Sequence, residues 1–192
     1  MVDYTDVPVK KLDPKEQGAI SNAGVAAADG TIVPHGPNMQ VVLDQKKIDL
    51  IKAKVAGNCT QTEFELLMYL AAKYDLDPLS KQIWAVKFQD SPAQIYVGRD
   101  GYLQIAHRSG QFDGMKSWVE YDEKDNPVKG KCTVFRKDMS HPFETEVLFK
   151  EYSTGKSLWA TKPSVMIIKV AESVCLRKAF SISGVYDPDE MG

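Results

Sequence analysis

Ser164-Val165-Met166-Ile167-Ile168-Lys169-Val170-Ala171-Glu172-Ser173-Val174-Cys175-Leu176-Arg177-Lys178-Ala179-Phe180 is the stretch on which the fold turns. Lys169, Ser173 and Arg177 fall at i, i+4 and i+8, so on a helix they make one polar stripe. Around the stripe lie Val165, Ile168, Ala171, Val174, Cys175, Leu176, Ala179 and Phe180, an unusually wide apolar surface. The plain reading is a core helix with a single wet face. Pro163 stands at its start, where a missing N–H costs nothing. Gly184 and Pro188 close the ordered region.

Upstream of this helix the hydrophobic period changes from 3.6 to 2. Met115 to Tyr121, Gly130 to Arg136 and Glu144 to Phe149 read as three strands. Asp122-Glu123-Lys124-Asp125-Asn126-Pro127 supplies the turn between the first two, and Ser140-His141-Pro142 the turn between the second and third. Residues 151–163 read as a polar loop. An earlier strand pair, Ile83-Trp84-Ala85-Val86-Lys87-Phe88 and Gln94-Ile95-Tyr96-Val97, surrounds a turn with Pro92. A short helix follows over 100–108, with Leu103 and Ala106 inward. Two helices come first. One spans 44–56, capped by Asp44 and closed by Gly57, with Ile48, Ile51 and Val55 at helical spacing. Thr60-Gln61-Thr62-Glu63 has the form of a capping box for the other, which buries Phe64, Leu67, Met68, Ala71 and Tyr74 and stops before Pro78. The order is ααββαβββα, an α+β fold in which a small antiparallel sheet packs against helices. Residues 1–40, rich in Ala, Gly, Pro and Asp, read as a mobile N-terminal arm with Ile32-Val33-Pro34 as its docking segment. Residues 41–187 make the core domain and 188–192 a tail.

A chain of 192 residues, 43% hydrophobic and 26% charged, suits one globular domain. Cys59, Cys132 and Cys175 are scattered and give neither a disulfide framework nor zinc-ligand spacing, which fits a reducing cytoplasm. No secretory leader and no apolar run of membrane-spanning length is present. Dinucleotide and nucleotide-phosphate loops, HExxH and GxSxG are missing. His35, His107 and His141 stand alone. The acidic runs Glu120-Tyr121-Asp122-Glu123 and Asp187-Pro188-Asp189-Glu190 fall at a hairpin turn and near the chain end. Carboxylates there read as solvated charge, whereas a metal-dependent nuclease needs acids that converge on ions. The expectation is a protein without bond-breaking chemistry, cofactor or metal.

The net charge of −2 hides an uneven distribution: residues 81–180 hold 16 Lys/Arg against 12 Asp/Glu, and both ends are acidic. Local potential governs nucleic-acid binding more than net charge does. Besides Lys169 and Arg177, the cations Lys81, Lys87, Arg136, Lys137, Lys150, Lys156, Lys162 and Lys178 could share one groove if the sheet and the long helix pack face to face. Backbone phosphates repeat closely, so a row of cations fits a nucleic-acid strand better than a small anion. Trp84, Tyr96, Phe135, Tyr152 and Trp159 are interleaved with them; only Trp159, set in the polar loop, reads as a ring free to stack on a base.

From about Leu66 to Asp187 the sequence resembles the Bet branch of the RecT family of phage recombinases. The stretches that carry the likeness are Tyr74-Asp75-Leu76-Asp77-Pro78-Leu79-Ser80-Lys81-Gln82-Ile83-Trp84-Ala85, Val97-Gly98-Arg99-Asp100-Gly101-Tyr102, Gln111-Phe112-Asp113-Gly114-Met115 and Phe135-Arg136-Lys137-Asp138-Met139-Ser140-His141-Pro142. Leu158-Trp159, Leu176-Arg177-Lys178-Ala179-Phe180 and Gly184-Val185-Tyr186-Asp187 complete the series in order. The resemblance implies ATP-independent annealing of DNA single strands in phage-type recombination, with the long helix bordering the DNA groove. The competing reading is a sequence-nonspecific module that binds single strands without annealing them. Carried over residue by residue, Lys81, Arg136, Lys137 and Arg177 become phosphate contacts, and with Lys87, Lys150, Lys156, Trp159, Lys162, Lys169, Ser173 and Lys178 they make the candidate DNA-binding set. The loop 151–159 is shorter and less basic than the family pattern, leaving Lys150 and Lys156 as its contacts. Implied partners are single-stranded DNA, the annealed duplex intermediate and further copies of the chain in a ring or helical filament, in the cytoplasm of a bacterial host. An exonuclease and the host single-strand binding protein belong to the family picture too, and stay open because the chain ends soon after the core.

Overall fold

The computed structural model describes residues 25–26, 32–33, 45–89 and 91–190. Most of the expected arm, the Asp44 cap and the last two residues lie outside them. The described part of the arm pairs strands β1 (Val25–Ala26) and β2 (Ile32–Val33) antiparallel, and β2 lies against the second helix, so Ile32-Val33 does dock.

Helix α1 (Gln45–Val55) buries Ile48, Ile51 and Val55, as the spacing predicts. Helix α2 (Gln61–Lys73) opens on the expected capping box. The Thr60 N–H donates to Glu63 Oε2 at 2.7 Å, and the Glu63 N–H donates to Thr60 Oγ1 at 3.3 Å. Two donors that the first helical turn leaves orphaned are thereby satisfied. Both helices pack on strand β3 (Ile83–Val86), which pairs antiparallel with β4 (Gln94–Val97). Glu63 ties the two layers together. It accepts from Lys87 Nζ at 3.0 Å and from the Ala93 N–H at 2.9 Å, so one carboxylate holds the helix start to both sides of the β3–β4 turn.

Helix α3 (Arg99–Arg108) leads to a second ladder of β5 (Phe112–Tyr121), β6 (Pro127–Arg136) and β7 (Phe143–Leu148), all antiparallel. The five core strands thus form two ladders of two and three strands. Gly114, at φ 107°, sits in the register shift between Phe112 and Met115, a backbone conformation that side chains rarely adopt. The Asp122 side chain accepts from the N–H groups of Lys124 and Asn126, which closes the predicted β5–β6 turn. The polar loop expected over 151–163 is instead two short helices, α4 (Phe149–Tyr152) and α5 (Ser157–Thr161).

The long helix α6 (Pro163–Ala179) lies across one face of the three-stranded ladder. Gly130, Cys132 and Val134 alternate toward it along β6, and Ile167, Val170, Ala171, Cys175 and Leu176 are fully buried. A Cβ on residue 130 would stand 2.6 Å from the Ile167 carbonyl oxygen, so only glycine permits this approach. The Cys175 thiol donates to the carbonyls of Cys132 and Phe143, at 3.5 and 3.3 Å. The wet face of α6 is narrower than the helical pattern suggests. Val165 is exposed while Met166, Ile167 and Val170 are inside, and so are the polar Glu172 and Ser173. β5 and α3 meet Glu172 through Ser117 and Arg99, and the chain end adds a further contact. Tyr186 accepts from the Val97 N–H at 2.8 Å and donates to the Ile95 carbonyl at 2.9 Å, so residues 185–187 run parallel to β4. The segment continues into a 3-10 turn over Pro188–Glu190 that touches α6. Residues 188–190, expected as a tail, are thereby part of the packed fold.

Gly130→Ala should lower the unfolding free energy by about 1–3 kcal/mol in urea titration, because the methyl group overpacks the β6–α6 contact. Gly57→Ala, with nothing within 4 Å of the new methyl group, should instead leave stability unchanged or raise it by up to about 1 kcal/mol. Glu63 predicts a pH dependence. Hydrogen bonds from the Thr60 and Ala93 N–H groups and from Lys87 hold its pKa at about 2, below the ordinary 4.5. Its stabilising contribution is therefore complete above pH 4.5 and fades as pH falls through about 2. Denaturation of the protein and of Glu63→Gln in parallel should show a gap at pH 6 that closes toward pH 2.

Candidate nucleic-acid interface

Six cations of the expected set stand exposed: Lys81, Lys137, Lys150, Lys156, Lys162 and Lys178. Their positions fall into three groups. Lys150 lies in α4, Lys156 precedes α5 and Lys162 separates α5 from α6, so three lysines line the approach to the start of α6. Lys178 sits at the far end of α6. Lys137 joins it there, because the Arg136 guanidinium donates to the carbonyl of Ala179 and ties the end of β6 to the end of the helix. A helix of 17 residues separates the two groups by about 25 Å. Lys81 is in a turn with φ 54°, its N–H donating to the Pro78 carbonyl at 3.0 Å.

Lys81 also borders an open cleft of about 550 Å³ with Lys54, Trp84 and the apolar floor of Val55, Ala85 and Val86. A cation of the predicted set meets here a ring, Trp84, and a lysine, Lys54, that were not in that set. Trp84 stacks on Tyr96 with centroids 6.1 Å apart and planes 25° apart, so one face of its ring is already used. The gap between α6 and the three-stranded ladder, by contrast, is filled by packed side chains. No strand can run between them.

The remaining expected residues are paired within the fold or buried in it. Lys87 is ion-paired to Glu63 at 3.0 Å. Arg136 pairs with Asp138 at 2.6 Å, lies 4.9 Å over the Phe180 ring and caps α6, where the last carbonyls lack helical partners. Lys169 is 3.8 Å from Asp189. Arg177 is half-buried and likewise has an interaction within the fold. Ser173 is fully buried, and Trp159 is 7% exposed against Phe149, with no open face for a base. The loop that was to present Trp159 is a helix that packs the ring inward.

The outer face of the three-stranded ladder carries the exposed Trp118 among Lys116, Lys129 and Lys131. Strict alternation along β5 would have singled out Trp118, which faces away from its buried-side neighbours. Lys131 is held by Glu120 at 2.6 Å and Glu146 at 2.9 Å, and Lys129 by Glu146 at 3.0 Å. Acids neutralise this face, unlike the two ends of α6. Among the described residues no three His, Cys, Asp or Glu side chains gather as metal ligands, and no helix is long and apolar enough to cross a membrane.

The sequence model of the RecT family matches residues 42–192. The chain is similar to the recombination protein bet of Escherichia phage lambda, at 31% identity over 144 residues, covering 70% of this chain and 53% of that protein. An uncharacterized protein of Ureaplasma parvum serovar 3 is 28% identical over 137 residues, covering 70% of this chain and 56% of its own length. The chain therefore spans about half the length of these curated relatives.

Because Arg136 bonds inside the fold, Arg136→Ala should destabilise the protein whether or not DNA is present. Loss of a part-buried charge-assisted bond to a carbonyl costs up to about 1.5–3 kcal/mol. Urea denaturation of the DNA-free variant should show a loss of that order, and an unchanged midpoint would remove Arg136 from the cap.

Proposed function

Since the chain belongs to the RecT family, we propose that it is an ATP-independent DNA single-strand annealing protein of phage-type homologous recombination. The observation that carries the reading is the distribution of exposed lysines: Lys150, Lys156 and Lys162 at one end of α6, Lys137 and Lys178 at the other. Cations spaced along an element suit a polyanion, and each phosphate neutralised releases counterions. Lys81 beside Trp84 and Lys54 offers a further place for backbone and base together.

The mechanism follows from what these groups can recognise. Lysines bind phosphates and carry no sequence information, so any strand is accepted and the base edges stay free. A complementary strand can then pair, and Watson–Crick hydrogen bonds and stacking supply specificity and driving force. No bond is broken, so no catalytic residue is assigned. One protomer covers only a few nucleotides, and a head-to-tail array of copies would extend the site along the strand. Single-stranded DNA, the paired intermediate and neighbouring copies are the proposed partners, in the cytoplasm of a bacterial host. The named activity of the phage lambda relative, recombination, supports this reading.

A titration with three substrates tests the proposal: one oligonucleotide, two complementary oligonucleotides added in sequence, and the same duplex annealed beforehand. The stepwise pair should bind most tightly. A finished duplex has its own pitch and stiffness, and bending it onto the protein costs deformation energy. A strand already spread along the protein has lost that freedom before its complement arrives. Equal affinity for all three, or preference for the finished duplex, would overturn annealing and favour plain DNA binding.

A further inference from the structure

The cleft beside Lys81 combines features that the two ends of α6 lack. It opens between the last turn of α1 and strand β3, with a volume of about 550 Å³. Lys54 borders it from the helix and Lys81 from the turn before β3. Both are exposed, and neither forms an ion pair among the described residues. Trp84 and the apolar Val55, Ala85 and Val86 line it as well. The Trp84 ring is supported on its other side. Its cross-strand neighbour Tyr96 stacks on it at 6.1 Å, and the Gly98 backbone passes its edge, where a Cβ would stand 3.7 Å from Cη2. Trp84 is only half-buried, so part of the ring stays open to the cleft. Lys81 has φ 54°, a left-handed conformation that is costly for a lysine and free for glycine. A lysine held where the backbone favours glycine points to a task for its side chain.

The geometry points to a subsite for one unpaired nucleotide of a DNA single strand, its base laid on Trp84 and its flanking phosphates met by Lys54 and Lys81. The inference rests on the single-strand reading above and goes beyond it by giving this cleft a separate task from the lysines at the ends of α6. A ring with an apolar floor suits a flat base, and two exposed cations suit the phosphates beside it. A small anion would leave the ring unused. Every base has a π-face, so stacking here accepts any sequence. The faces of a paired base are covered by its neighbours in a duplex, and turning one out costs unstacking and unpairing; a single strand meets least of that cost. The cleft therefore selects single strands, whereas phosphate contacts elsewhere accept strand and duplex alike. Tyr96 and Gly98 hold the ring in place before DNA arrives, so little freedom is lost on binding. A free nucleotide has the same chemistry but no second attachment. A strand anchored on other lysines presents its next base at high effective concentration.

The test reads the affinity of the full chain for an oligothymidine, and for a duplex of equal length, across a salt series. Trp84→Leu should weaken single-strand binding about fivefold or more and leave the salt slope unchanged, because a stacking contact releases no counterions. Its duplex affinity should stay at the wild-type value. Lys54→Ala should weaken single-strand binding and lower the slope by about 0.7, one phosphate's worth. Lys81→Gly should do the same while its urea midpoint stays level or rises, because glycine relaxes the backbone there. Wild-type single-strand affinity in Trp84→Leu, or equal losses for strand and duplex, overturns the subsite. So does an unchanged slope in either lysine variant. If Trp84→Leu does not fold, the wild-type protein decides by photocrosslinking. Irradiated on a strand carrying iodouracil, it should crosslink at Trp84, and crosslinks mapped only to other residues would overturn the proposal. Thymidine monophosphate should fail to displace the strand at millimolar concentration; displacement would assign the cleft to free nucleotides instead. A wild-type chain that binds no single strand fails the reading of the whole protein, which is distinct from the failure of this cleft alone.

Discussion

The contact of β6 with α6 at Gly130 is the constraint from which the rest of the architecture follows. The Ile167 carbonyl occupies the place where a side chain on residue 130 would begin. This approach sets the helix flat on the three-stranded ladder and lets Ile167, Val170, Ala171 and Cys175 fill the interface. Once that face is closed, the ends of the helix remain as its exposed parts. Five of the six exposed cations of the expected set are grouped at those ends, and Lys81 stands apart from them.

A helix this deeply enclosed must accommodate its polar residues inside the protein. Glu172 accepts from Ser117 Oγ at 2.6 Å and pairs with Arg99 at 3.3 Å, which joins α3 and β5 to the middle of α6. Lys169 meets Asp189 of the chain end at 3.8 Å. Buried polar groups are tolerated when partners face them. The chain end supplies such partners by adding itself beside β4, so the two ladders and the long helix are linked through one short extended segment.

The same logic separates cations that build the fold from cations that remain available. Lys87, Arg136, Lys129 and Lys131 each have a carboxylate within 3.0 Å. Lys137, Lys150, Lys156, Lys162 and Lys178 are exposed and form no ion pair within the described residues. A net charge of −2 is compatible with nucleic-acid binding under this division, because acids such as Glu63, Glu120, Asp138, Glu146 and Glu172 are engaged in pairs within the fold.

Local rules determined much of this protein. The capping box at Thr60 and Glu63, the turn built on Asp122, the period-2 strands and the long apolar helix all follow from short-range geometry, and each is found in place. The family likeness was legible as well, since its motifs lie in order along the chain. Which residues face solvent was not legible, because exposure depends on segments distant in sequence. Trp159 reads as a loop residue and is packed by Phe149; Ser173 reads as part of a wet stripe and is covered by residue 187, fourteen positions away. Lys87 and Arg136 read as free cations, yet Glu63 and the Ala179 carbonyl claim them across 24 and 43 positions. A sequence pattern records which faces of an element are apolar. Only the tertiary structure decides which polar side chains are met by a partner, because that partner arrives from elsewhere in the chain.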